Sequence, residues 1–389
     1  MLAKIKQFFT IDIDYSNRVY GFDIMRGVGI LIVVYAHGRS KMHFFPRFND
    51  FVSVIGFWLM DLFFVLSGFL IGMILIKFYE KEKTFNLKTA YNFWIRRWFR
   101  TLPNYYLVLF LTALLWGVMS GNWLFLKLKF LMHALFMQTI VTAPPFFMME
   151  AWTLCIEEWF YLLFPILLLI GNTVFLSGNA VSSAQIKKNM LVSIVLFFAV
   201  PMLLRIYLFT QHTSLAWIDM SRMTFFRLDT IAAGIFMAWV NYYYKGFFEK
   251  NRNLFGILFV ILMAIYLIFF YRVLLPDIRH QTSIISFTLF FLLSSTASLC
   301  LTVYMKEVKM SRPHFFARFI TVISLISYSL YIFHRSIVMY VIDELYQPDT
   351  AVENILMFVV YVVASMLISI LCFKYFEHPM TEMREKLKR

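Results

Sequence analysis

The sequence predicts an all-α protein, a polytopic transmembrane bundle of about ten helices with both termini on the cytoplasmic side. Three observations carry this expectation. Hydrophobic residues make up 61% of the 389 residues and charged residues only 15%, against roughly 45–50% and about 25% in soluble domains. The apolar residues fall in runs of about 20, the length a hydrocarbon core requires. The Lys and Arg residues behind the net charge of +14 concentrate in alternate connections, the asymmetry that orients membrane proteins. A soluble enzyme, a disordered chain and a disulfide scaffold are excluded.

Ten runs meet the length requirement: about 20–38, 53–76, 102–120, 153–171, 190–209, 224–244, 254–271, 282–305, 319–341 and 351–373. The amphipathic stretch 123–141 is too interrupted to span and is expected as a short interfacial or re-entrant helix. With the N-terminus inside, segments 1–19, 77–101, 172–189, 245–253, 306–318 and 374–389 hold 24 Lys and Arg, and the opposite connections hold 8. This ratio favours the N-in, C-in orientation and accounts for the basic charge without a nucleic-acid partner. The chain therefore divides into a cytoplasmic segment (1–19), a transmembrane domain (20–373) and a basic cytoplasmic tail (374–389). No connection is long enough for a soluble domain, so any chemistry falls to the bundle. No removable signal peptide is expected, since the N-terminus lacks a small-residue cleavage site. Cys155, Cys300 and Cys372 lie in apolar runs and suggest neither a disulfide nor a metal site.

Ionisable residues within a membrane are costly and point to function. In span 1, Asp23 and Arg26 are three residues apart and can pair. His37 follows Arg26 by 11 residues, almost three whole turns, so both face one way about 16 Å apart. Span 2 contains Ser67, which serves either as a nucleophile or in packing, beside a small-residue face of Gly68 and Gly72. Before span 3, Arg96, Arg97 and Arg100 form a basic cluster. Arg97 and Arg100 share a helix face suited to bidentate phosphate binding, although flanking arginines also serve topology.

Span 4 opens with Trp152 and carries Glu157, Glu158 and Tyr161. Adjacent residues point about 100° apart, so only one of the two glutamates is expected to face a site. Span 6 starts with Arg227 and Asp229. Span 9 places His334 and Arg335 in its outer half, at a depth similar to His37 and Glu157. A carboxylate beside an imidazole fixes its tautomer and stabilises its charged form, so Glu157 is expected to orient His37 as a general base. Membrane-embedded His, Asp and Glu also build proton relays, which makes a transporter or exporter of a polysaccharide or lipid-linked sugar the rival reading. Against it stand the absence of an apparent inverted repeat and the phosphate-suited arginines.

These motifs, in this order, resemble the acyltransferase 3 family of membrane O-acyltransferases. The opening pattern LDxLRG followed by His is met at Phe22 to Gly27 and His37. DLFFVLSGFLI stands at Asp61 to Ile71, and the Arg-rich run before a proline at Arg96 to Pro103. WSLxxEExFYLxFP is matched at Trp152 to Pro165 with Thr153 for Ser. RxDxxxxG stands at Arg227 to Gly234, SYSLYLxH at Ser327 to His334, and Y-x-E-x-P at Tyr375 to Pro379. Phe22 and Met25 replace Leu, and His378 stands where Lys or Arg is common.

The resemblance covers about residues 18–380. It implies transfer of an acyl group, acetyl by default, from cytoplasmic acyl-CoA to a hydroxyl of an extracytoplasmic or lipid-linked glycan, in a bacterial-type cell membrane. Acyl-CoA would be a co-substrate, with no permanently bound cofactor or metal. Arg97 and Arg100, with Arg96, would hold the CoA phosphates. The chain would thread past Asp23 and Arg26 to His37, with Glu157 beside it. Glu158, Arg227, Asp229, His334, Arg335, Trp152, Tyr161 and Ser67 are candidates for acceptor binding or oxyanion stabilisation. An acyl-enzyme on His37 or Ser67 is an alternative route. Some members append an extracytoplasmic esterase-like domain; none is read here, which implies a single-component enzyme.

The orientation has a direct test. Cysteines introduced singly at Lys83 and Lys388 are expected to resist an impermeant thiol reagent applied to sealed cells and to react after permeabilisation. Labelling of both from outside reverses the topology.

Overall fold

Local sequence sets where the helices start and stop. The computed structural model describes residues 11–16, 18–140, 147–175, 181–210, 220–274, 284–310 and 314–386. Helix α1 is Tyr20–Gly38. Helix α2, Pro46–Glu82, begins with proline at a position where its missing N–H costs nothing and ends at Lys83 in the left-handed conformation. Helix α3, Leu87–Ser120, is capped by the Asn86 side chain, which accepts from the Thr89 N–H at 3.0 Å. It ends at Gly121 with φ +66°.

Then come α4 (Trp123–Ala134), α5 (Trp152–Phe175), α6 (Ser183–Thr210), α7 (Leu228–Tyr243), α8 (Phe247–Lys250), α9 (Arg252–Phe269), α10 (Ile284–Lys306) and α11 (Phe315–Phe333). The chain closes with α12 (Tyr340–Leu345), α13 (Ala351–Cys372) and α14 (His378–Lys386). A Thr350–Glu353 capping box starts α13. Wider π-turns succeed α9, α11 and α13 at Phe270–Leu274, His334–Met339 and Phe373–Glu377. No strand occurs among the described residues.

Nine helical stretches among these residues are long and apolar enough to cross a membrane. They match nine of the ten expected spans. The tenth run, 224–244, is α7, with only 16 residues in α-helix because Thr224–Phe226 is a separate 3-10 turn. At about 24 Å, α7 is shorter than a hydrocarbon core, yet it runs antiparallel beside α6 from Arg205, which pairs with Asp229, to Lys187, whose carbonyl accepts from Trp239 Nε1 at 3.0 Å. It is buried nearly all round, from Leu228 to Trp239. The stretch 123–141 forms a non-spanning 12-residue helix, α4, whose continuation folds back. The Phe136 carbonyl there accepts from Trp159 Nε1 at 2.8 Å and from Cys155 Sγ at 2.7 Å, both on α5.

The last spanning stretch runs from Ala351 to Met383, so Glu377 belongs to the bundle and is buried. Of the terminal segments, 1–10, 17 and 387–389 lie outside the described residues.

Helices α2 and α7 form a close seam. A Cβ on Gly68 would lie 2.1 Å from the Ile231 carbonyl oxygen, and one on Gly234 would lie 2.1 Å from that of Val65. The backbones therefore touch, the close approach that small residues allow in a membrane. Beside this seam, buried Asp61 on α2 pairs with buried Arg227 at the start of α7 and accepts from Ser294 on α10. Arg205 of α6 pairs with Asp229 at 2.7 Å. Arg227 and Asp229, expected as candidates for acceptor binding or oxyanion stabilisation, are thus committed to joining α2, α6, α7 and α10.

Because the clashing atoms are backbone, the seam cannot yield by rotamer change. Gly68→Leu and Gly234→Leu are each expected to destabilise the purified protein by at least the ~1–3 kcal/mol of overpacking. Thermal melting followed by reaction of the three buried cysteines reads this loss. An unchanged melting temperature in both variants refutes the seam.

Candidate active site

A cavity of about 180 Å³ opens between α1, α2, α3, α5 and α11. Its polar wall includes Arg26, Ser67, Arg97, Arg100, Glu157 and Glu377. A second cavity of about 220 Å³, at the α2–α3 connection, is lined by Arg96, Arg97 and Arg100 together with Thr89, Asn92, Phe93 and the apolar end of α2. Arg97 and Arg100 border both. The spacing that puts them on one face of α3 therefore places two guanidinium groups between a mouth and an interior. Such a pair can hold phosphate-type anions with directional, charge-assisted bonds.

Tyr161 is the hub of the interior. Its hydroxyl donates to Glu157 Oε2 at 2.6 Å and lies 2.7 Å from Ser67 Oγ. The same oxygen accepts from Arg97, whose guanidinium lies over the Tyr161 ring at 4.3 Å. Since the phenol has one proton and Glu157 receives it, Ser67 is the donor in its contact. Arg97 also stands 3.7 Å from Glu157. The carboxylate, phenol and guanidinium thus form a balanced, partly buried set, held from α2, α3 and α5.

The two glutamates separate as their helical angle dictates. Glu157 lines the cavity, whereas Glu158 accepts from Thr101 Oγ1 at 2.8 Å within the packing of α3 on α5. Asp23 does not form the expected ion pair with Arg26. It pairs with Arg18 from the preceding segment, accepting from Nε at 2.8 Å, and accepts from Ser324 Oγ at 2.8 Å. An i, i+3 spacing permits a pair but does not compel one, and the flanking arginine reaches the same carboxylate. Arg26 instead faces the cavity.

His37 does not meet Glu157. Its partner is His334: Nδ1 of His37 lies 2.7 Å from Nε2 of His334, and the rings stack with centroids 4.9 Å apart. His334 Nδ1 lies 2.9 Å from the Leu330 carbonyl oxygen. His334 is fully buried and His37 partly exposed. Similar depth on α1, α5 and α11 was read correctly from sequence for the two histidines. It is their direction around the helix axes that turns them to each other and leaves Glu157 to Tyr161 and Arg97. The pair is linked to the cavity wall through Tyr331, whose ring centroid lies 5.9 Å from that of His334. An imidazole pair of this kind can accept and hold a proton.

The sequence model of a family described as an acyltransferase domain matches residues 19–374. The chain belongs to the acyltransferase 3 family. Similar proteins include the putative peptidoglycan O-acetyltransferase YrhL of Bacillus subtilis, 28% identical over 42% of this chain and 26% of that protein. The peptidoglycan O-acetyltransferase OatA of Listeria monocytogenes is 29% identical over 40% of this chain and 25% of its own length. A putative O-acetyltransferase of Staphylococcus aureus is 27% identical over 38% and 24%. The chain thus aligns with about a quarter of the length of these curated relatives. No solved structure matches it significantly.

Within this acyltransferase 3 domain, the remaining candidates take varied places. Arg335 reaches Met149 Sδ at 3.2 Å, and the Trp152 ring packs edge-on against Phe64. Sequence reasoning missed several residues. Tyr331 donates to the Glu150 carbonyl at 2.8 Å and contacts Thr153 Oγ1 at 2.8 Å. Glu377 accepts from Ser329 Oγ and, at 3.1 Å, from the Asn104 amide. The signal for Glu377 was present in the Tyr375–Pro379 motif, but its place after the last apolar run hid it. Tyr328 and Tyr331, three apart on α11, carried the helical spacing that faces one cavity.

Tyr161→Phe keeps the ring beneath Arg97 and removes the oxygen that joins Ser67, Glu157 and Arg97. Hydrogen bonds to charged groups are worth about 1.5–3 kcal/mol. Acyl transfer by the purified variant is therefore expected to fall roughly 10- to 100-fold while the fold is retained. Wild-type turnover would reduce the hydroxyl to packing.

Proposed function

We propose that this acyltransferase 3 domain moves an acyl group, acetyl by preference, from acyl-CoA to a hydroxyl of an extracytoplasmic or lipid-linked glycan. The bacterial cell membrane is its expected location, with the arginine-bordered mouth on the cytoplasmic face. The observation that carries the reading is the arrangement of Arg26, Arg97 and Arg100 around a cavity whose Tyr331 wall adjoins the His37–His334 pair. The peptidoglycan O-acetyltransferase names of the relatives favour a cell-wall glycan as acceptor.

In this reading Arg97 and Arg100, with Arg96 at the mouth, bind the anionic phosphates of the donor. Arg26 stands along the path of the acyl arm. His37, 11 residues and about 16 Å along α1 from Arg26, takes the proton of the acceptor hydroxyl. The alkoxide attacks the thioester carbonyl, the tetrahedral intermediate collapses, and the CoA thiolate leaves with the proton held on His37. Glu157 acts at a distance from this step by keeping Arg97 and Tyr161 in place, a change from the direct role expected of it.

The test uses purified protein in lipid vesicles, with acetyl-CoA and a cell-wall glycan fragment, read by mass spectrometry of the acceptor. Wild-type protein is expected to acetylate the fragment. Arg97→Ala with Arg100→Ala is expected to weaken acetyl-CoA binding at least 10-fold, about the effect of one lost charge-assisted bond. His37→Gln is expected to bind acetyl-CoA normally and to lose turnover by ~10²-fold or more. Acetylation that proceeds normally in His37→Gln, or donor binding unchanged by loss of both arginines, overturns the assignment.

A further inference from the structure

The His37–His334 contact specifies more than proximity. Each imidazole can carry its proton on either nitrogen, and the two tautomers present different atoms to a substrate. Three contacts on α1 and α11 select between them.

His334 is fully buried, and neither histidine has a carboxylate partner among the described residues. A lone buried imidazolium is costly, so His334 is neutral and carries one proton. Its Nδ1 faces the Leu330 carbonyl oxygen at 2.9 Å. A carbonyl only accepts, so the proton is on Nδ1. The second lone pair of that oxygen takes the backbone N–H of His334. Nε2 of His334 is then a bare acceptor. Nδ1 of His37 sits 2.7 Å from it. Two bare nitrogens would repel at that distance, so Nδ1 of His37 carries a proton and donates. A neutral His37 has no second proton, and its Nε2 is therefore unprotonated.

We propose that His334 is a positioning residue that holds His37 in the Nδ1–H tautomer, making Nε2 of His37 the atom that takes the acceptor's proton. The inference rests on the role given to His37 under Proposed function. The relay runs from the Leu330 carbonyl through His334 to His37 and contains no carboxylate. The orienting group is a backbone oxygen, acting through a second imidazole. When Nε2 of His37 gains the acceptor's proton, Nδ1–H still donates to His334, whose lone pair stabilises the imidazolium. No covalent bond to either histidine is required. His334 has no proton to exchange with substrate in this cycle, which is why it is assigned positioning rather than catalysis.

The test has a spectroscopic and a kinetic arm, both on the full chain. In protein labelled with 15N at histidine, the His37 signals are expected to show protonated Nδ1 and unprotonated Nε2. His37→Gln identifies them by their disappearance. His334→Leu removes the acceptor and is expected to shift His37 toward the Nε2–H form. His334→Gln offers an amide oxygen to Nδ1–H and is expected to restore the wild-type pattern. In acetyl transfer, His334→Leu is expected to lower kcat roughly 10²-fold with KM for acetyl-CoA unchanged, the order of effect of removing a group that holds a general base ready. His334→Gln is expected to recover at least 10-fold of that loss.

Protonated Nε2 on His37 in the wild-type protein overturns the proposal, as does a His334→Leu variant with wild-type kcat. Because the wild-type spectrum alone decides the tautomer, a variant that fails to fold leaves the proposal decidable. Failure of the two readings is distinguishable. If His37→Gln keeps transferring acetyl groups, the base assignment falls whatever the tautomer. If His37 is essential but Nε2 is protonated, only the present inference falls.

Discussion

The fold depends on one contact made twice over, the seam between α2 and α7. Gly68 and Gly234 bring the two backbones into van der Waals contact, and Asp61 and Arg227 pair beside the seam where no water competes. Breaking one half of such a pair leaves an uncompensated charge, a loss of about 3–5 kcal/mol. The short α7, buried on most of its surface, is held chiefly by this seam. Its hold on α2 fixes the helix that presents Ser67 to the cavity, and Ser294 and Arg205 extend the same lock to α10 and α6.

The membrane charges consequently divide into two sets. Asp61–Arg227 and Asp229–Arg205 bind helices together. Arg97 and Glu157, joined through Tyr161, are also paired, but they face the cavity. Both sets pair arginine with a carboxylate within the bundle. The cavity beside one of them is the difference. A buried ion pair alone is thus weak grounds for a site, whereas an ion pair that walls a cavity is strong.

Much of this was legible in the sequence, and the limits are instructive. Hydropathy located nine spans because length and composition are one-dimensional properties. It found α7 as a tenth run but not that its α-helix begins only at Leu228, because the 3-10 turn before it is as apolar as the helix. Helical spacing placed Arg97 with Arg100 and separated Glu157 from Glu158, since both relations lie within a single helix. It failed where partners come from different helices. Depth along the bilayer can be counted in residues, so His37 and His334 were correctly grouped by level. Rotation about each axis is set by packing, and it gave His37 to His334 rather than to Glu157. The Asp23–Arg18 pair escaped for a related reason, because its arginine arrives from the segment before the helix.

The π-turns make chain length itself matter. Such a turn accommodates an additional residue within an otherwise α-helical path. Two of the three, His334–Met339 and Phe373–Glu377, contain residues of the site or its wall. Deleting one residue before Glu377 in the second turn would return that stretch to α geometry while the helices on either side keep their path. Glu377, the last residue of the turn, would stay beside Asn104 and Ser329. A single-residue deletion is therefore absorbed at this turn, whereas within a regular α-helix it would rotate everything after it by about 100°, so a homologue can lose a residue here and keep its register.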